Sequence, residues 1–83
     1  MSRIDYSKLR ALTARKLIIA LIRDGFHLDR TSGSHHQYLH PDKGRVTLPF
    51  HHPGDTFPPK TLKNIIQDAG WNEDDLKRLN LLK

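Results

Sequence analysis

The first stretch with a clear period begins at Ala14. Ala14, Leu17, Ile18, Leu21 and Ile22 recur at three- and four-residue steps, the stripe that one helix face needs to enter a core. Thr13 stands at an N-cap position and Gly25 where a helix ends on a left-handed residue. The spacing predicts a helix over 13–24. The pattern then turns to alternation. Phe26-His27-Leu28-Asp29-Arg30 reads as a strand with Phe26 and Leu28 inward. Thr31–Ser34 reads as a turn and His35–His40 as a second strand. Pro41–Gly44 has hairpin-turn chemistry. Arg45–Leu48 reads as a third strand, with Val46 and Leu48 on one face and Pro49 stopping it.

A loop over 51–59 holds three prolines and one glycine. Leu62, Ile65, Ile66 and Ala69 then return to helical spacing, predicting a helix over 60–69 closed by Gly70. Asn72 is placed to cap a short last helix, with Glu73, Asp74 and Asp75 at its positive end and Leu76 and Leu79 as its stripe. Phe57 and Trp71 read as core anchors. Residues 1–12 read as a polar, basic lead-in, irregular or loosely helical, and 13–83 as a single domain. The element order predicts an α+β fold, α-β-β-β-α with a short C-terminal helix. Two helices cover one face of a three-stranded antiparallel sheet and leave the other face open. If His35 faces solvent on that sheet, Tyr38 faces the helices and Leu39 is left outward.

Composition narrows the classes. Eighty-three residues leave room for one core. The absence of Cys excludes disulfides and thiolate zinc sites. The longest apolar run, Leu17–Ile22, is too short to span a bilayer, and Met1–Arg10 lacks the apolar centre of an export signal. The expectation is a cytoplasmic protein without a membrane partner. The net charge of +5 is uneven: nine Lys/Arg face four acids up to residue 50, and five face five thereafter. The basic excess of the first part suits a polyanionic partner.

Five of the six histidines lie between His35 and His52. Neighbouring residues on a strand point to opposite faces, so the His35-His36 pair is a poor chelate while it stays in strand. No acid stands at His-Glu-x-x-His spacing. The reading is therefore no metal and no small-molecule cofactor. There is no thiol nucleophile and no Gly-x-Ser-x-Gly turn, and Ser34 beside His35 is not a triad. What remains is a basic surface, an open sheet face and groups that exchange protons near neutral pH. Such a set suits RNA cleavage, in which the ribose 2′-OH is the nucleophile and the protein supplies acid, base and charge.

Four elements, in order, carry a resemblance: Asp24-Gly25-Phe26; Gly33-Ser34-His35-His36-Gln37-Tyr38-Leu39-His40-Pro41; Val46-Thr47-Leu48-Pro49-Phe50-His51; and Thr61–Gly70. From about Thr13 to Leu79 the chain resembles the HicA family, the toxins of HicA–HicB toxin–antitoxin pairs. The resemblance implies a fold like the double-stranded-RNA-binding domain and metal-independent cleavage of mRNA. It also implies a HicB-type antitoxin that covers the active face. It places the catalytic histidine at His35. The lead-in is longer than in many members, and the second motif ends in a pair, His51-His52, where one His is usual.

Other residues divide between roles. Gly33 and Ser34 shape the turn and can offer backbone N–H groups to a phosphate. His51 is a candidate for phosphate contact, for the general acid, or for a loop-stabilising hydrogen bond. His36 reads as structural; His40 and His52 read as surface residues. Lys16, Arg30, Lys43 and Arg45 are candidates for contact with RNA phosphates. Two rivals stay open: a non-catalytic RNA-binding module of the same fold, and a degenerate toxin serving as a protein-interaction domain.

Overall fold

A computed structural model describes residues 4–82. A short 3₁₀ turn, Tyr6–Leu9, leads into α1 (Ala14–Arg23). Three strands follow, β1 (His27–Ser32), β2 (His35–His40) and β3 (Gly44–Pro49), and then α2 (Pro59–Ala69) and α3 (Glu73–Arg78). The strands form one antiparallel sheet in the order β1-β2-β3. This is the expected α+β architecture of double-stranded-RNA-binding-domain type.

Local chemistry sets the helix ends. The Thr13 hydroxyl accepts from the Lys16 N–H at 3.3 Å. Asn72 and Asp75 exchange side-chain-to-backbone hydrogen bonds, at 2.8 and 3.0 Å, in a capping box. Helix α2 starts on proline, whose missing N–H costs nothing in a first turn. All three helices end in the same way. A residue just beyond the helix donates five residues back: Phe26 to Leu21, Trp71 to Ile66 and Leu81 to Leu76, at 2.8–3.2 Å. The intervening residues Gly25, Gly70 and Asn80 have positive φ. These are Schellman closures, and each returning residue is itself buried.

One sheet face joins the core. Tyr38 pairs with Val46, and His36 with Leu48, so these four share a side. Tyr38, Val46 and Leu48 are buried with Leu17 and Leu21 of α1, Leu62 and Ile66 of α2, and Leu76 of α3. Phe57 and Trp71 are buried there, as anticipated. The core does not stop at Thr13: Leu9 is fully buried and Leu12 nearly so.

Three expectations are corrected. Leu28 does not point into the core; it is 52% exposed. Its pairing with Tyr38 puts it on the helix side, but β1 is an edge strand, and every residue in it is exposed. Ile22 is likewise 57% exposed. The buried arc of α1 is Ala14, Leu17, Ala20 and Leu21, rotated toward Ala20 and leaving Ile22 at its rim. His40 is half-buried rather than a surface residue, for reasons given below.

A candidate nucleic-acid face around His35

Ser32 pairs with His35, so Gly33 and Ser34 alone make the β1–β2 turn. Gly33 has φ +58°, while Ser34 stays outside the left-handed region. Positive φ at only the first central residue is the type II′ pattern that matches strand twist and calls for glycine there. Nothing lies within 4 Å of where a Gly33 Cβ would stand, so the requirement is conformational and the space beside the turn is open. The Ser34 carbonyl accepts from the Phe50 N–H at 2.9 Å, which fastens the turn to the end of β3.

Pleat alternation then separates the two histidines of β2. His36 faces the helix side and stacks on Phe50, with ring centroids 3.8 Å apart. Its Nε2 lies 3.2 Å from the Phe50 carbonyl, which can only accept, so Nε2 carries the proton and donates. His35 therefore stands on the open face, opposite Ser32 and Pro49, and is exposed. Its ring makes no hydrogen bond among the described residues, in contrast to those of His36 and His40.

Beyond His35 the open face is polar. Arg30, Gln37 and Thr47 form its next row, and Leu39 and Arg45 the row after that. Leu39 is outward, as expected, and half-buried opposite the Arg45 stem. Asp29, at a register shift between Leu28 and Arg30, takes Arg45 at 3.0 Å and Arg30 at 3.2 Å. Arg45 also donates to Gln37 Oε1. The Arg45 hydrogen bond holds the Asp29 carboxyl below its usual range; desolvation opposes this, and Arg30 adds to it. Asp29 lies in no motif, yet it holds both arginines, and Gln37 holds Arg45. Alternation from His35 was the signal that could have placed Gln37 on this face.

His51 lies two residues past Pro49, the cross-strand neighbour of His35, and is exposed. Asp55 Oδ2 accepts from the backbone N–H groups of His51 and His52, at 3.0 and 3.1 Å. The His52 and then the His51 hydrogen bond lower the Asp55 pKa against a smaller effect of desolvation. The same loop closes the start of α1: Ala14 and Arg15 donate to the carbonyls of Asp55 and Pro53 at 2.8 and 2.9 Å. Lys16, exposed in that first turn, lines a groove with Lys8, Leu12 and Leu81.

Gly33, Ser34 and His35 stand at one end of the sheet with His51 just past β3, and Arg30 and Arg45 continue along the open face; Lys16 is not brought to them. Lys43 is not brought there either. Its ammonium lies 2.5 Å from Asp24 Oδ2, at the opposite end of α1. Asp24 also accepts from Trp71 Nε1 at 2.9 Å and Arg78 at 3.0 Å, and its side chain is 9% exposed. Burial raises its pKa, but the hydrogen bonds from Lys43, Trp71 and Arg78, with the Lys43 charge, outweigh this and leave it lowered. The backbone carbonyl of Asp24 accepts from His40 Nε2 at 3.1 Å. His40 Nδ1 in turn accepts the N–H groups of Asp42 and Lys43, at 3.0 and 3.1 Å. These bonds fix the tautomer and make His40 the brace between the β2–β3 turn and the end of α1. No three potential metal-ligand side chains (His, Asp or Glu) converge among the described residues, and no helix there is long and apolar enough to cross a membrane.

A comparison with curated proteins found no match. The family model described as "HicA toxin of bacterial toxin-antitoxin" matches residues 14–71, which runs from the first residue of α1 to the tryptophan that closes α2. Covering well over half of the chain, with the turn, both histidine pairs and the open face inside it, that match makes the chain a member of the HicA toxin family of bacterial toxin–antitoxin systems.

Proposed function

We propose that the chain is an endoribonuclease that cleaves mRNA in the cytoplasm without a metal, with His35 as general base. The observation that carries this reading is the exposure of His35 on the open face, beside a glycine turn with free space around it. The neutral imidazole removes the ribose 2′-OH proton. The 2′-oxygen attacks the adjacent phosphorus, and the bond from phosphorus to the 5′-oxygen breaks. The leaving oxygen takes a proton from a general acid, for which His51 is the candidate. The products are a cyclic phosphate and a 5′-hydroxyl. Gly33 and Ser34 shape the phosphate approach, and Arg30 and Arg45 offset charge on the backbone. Lys43, held on Asp24, contributes through the fold instead. A HicB-type antitoxin neutralises the enzyme by covering His35.

The test is cleavage of end-labelled RNA in EDTA by the wild type and by His35→Ala. Wild-type cleavage and a loss of at least about a hundredfold in the variant, with an unchanged melting temperature, are expected. Equal cutting by the two proteins overturns the assignment. RNA retention without cleavage by the wild type would instead favour the non-catalytic RNA-binding module.

A further inference from the structure

Ile19, Ile22 and Leu28, each 51–57% exposed, are the large apolar side chains left open among the described residues. Ile19 and Ile22 lie one turn apart on the outer face of α1. Leu28 lies on the helix side of β1, three residues past the Gly25 reversal that joins the two elements. Isolated exposed hydrophobes need no explanation, but three on the helix layer of a domain this small, two of them on one helix face, mark a contact surface.

Its surroundings indicate what fits. Arg15 and Lys16 stand a turn before Ile19, and Arg23 a turn after it. All three are exposed, and none has an ion-pair partner among the described residues. Helix α1 itself holds no acid. Arg30, Lys43, Arg45, Lys77 and Arg78 meet carboxylates, whereas Lys8, Arg10, Lys60 and Lys63 have no ion pair among the described residues either. The complementary surface has apolar side chains at its centre and carboxylates at its ends. An RNA helix presents mainly phosphate and sugar to a folded surface, whereas a protein segment offers both parts.

We infer that the outer face of α1 with Leu28 is a docking surface for an acidic, apolar segment of the antitoxin. It is a second foothold, separate from the face that holds His35. The inference rests on the toxin–antitoxin pairing and not on the cleavage chemistry, so the two readings fail separately. Because these side chains are exposed, replacing them leaves the core intact.

The test measures antitoxin affinity by calorimetry, using the antitoxin protein of the pair, for Ile22→Asp, Leu28→Asp and Arg23→Glu. The milder Ile22→Ser and Ile19→Ser guard against misfolding, which thermal melts would reveal. At least tenfold weaker binding is expected for each aspartate variant, with RNA cleavage at the wild-type rate. His35→Ala, in contrast, should lose cleavage and still bind through the patch. Wild-type affinity in the folded patch variants overturns the inference. So does unchanged antitoxin affinity accompanied by loss of self-association in sedimentation, of binding to anionic vesicles, or of RNA binding. Those results would assign the patch to a second copy, a lipid surface or the substrate.

Discussion

Removing the Asp24 carboxylate leaves donors from three segments, Lys43, Trp71 and Arg78, without their acceptor. Asp24→Ala should cost about 3 kcal/mol in urea unfolding, the scale for breaking a nearly buried, charged hydrogen-bond set. The pH dependence follows from its lowered pKa. A carboxyl below its unfolded value of about 3.9 contributes stability that is complete above that pH and lost as pH falls through the folded value. The urea midpoint should hold from pH 7 to about 5 and drop below about pH 4, and Asp24→Asn should flatten part of that drop. Asp55 supplies a second test: Asp55→Ala frees the N–H groups of His51 and His52. If His51 is the general acid, the cleavage rate should fall more than the melting temperature accounts for. None of this was legible beforehand. The partners of Asp24 lie 19, 47 and 54 residues away, and the acceptor of His40 lies 16 away. The sequence offers no period over such distances. The outward place of His35 was legible because its turn and its strand are local.

Among elements, the helix ends were the easiest to read. Gly25 and Gly70 stand directly after periodic runs, and both close their helices. They differ in what surrounds them. A Cβ at Gly70 meets nothing within 4 Å, whereas one at Gly25 falls 3.0 Å from His40 Nε2. Gly70→Ala should therefore cost only the left-handed strain, about 1 kcal/mol. Gly25→Ala should cost clearly more, because it also displaces the His40 brace; paired thermal melts measure the difference. Strand alternation placed Tyr38, Val46 and Leu48 correctly. It misplaced Leu28, because a pleat tells which side a residue takes but not whether anything covers that side at an edge. The same holds for Ile22: periodicity gives a stripe, and the neighbours decide how wide a part of it is buried.

For the molecule as a whole, the core is wider than the region that carries the family pattern. That pattern spans 14–71, while Leu9, Leu76, Leu79 and Leu81 are buried beyond its ends. Leu9→Ala should cost about 2–5 kcal/mol, the range for emptying a leucine site in a core, and denaturant titration reads it directly. At this scale the ladder between the strands also decides which imidazole meets the outside. His36 is seated against the Phe50 ring, and a pleated strand cannot turn one side chain in without turning its neighbour out. The doublet therefore holds no spare: when His35 is replaced, the adjacent ring stays locked behind the sheet and cannot stand in for it. A one-residue slip of the ladder would swap the two rings between the faces and, at the same stroke, bring Tyr38, Val46 and Leu48 out into water. The core that keeps this small domain folded is thus also what selects the presented histidine.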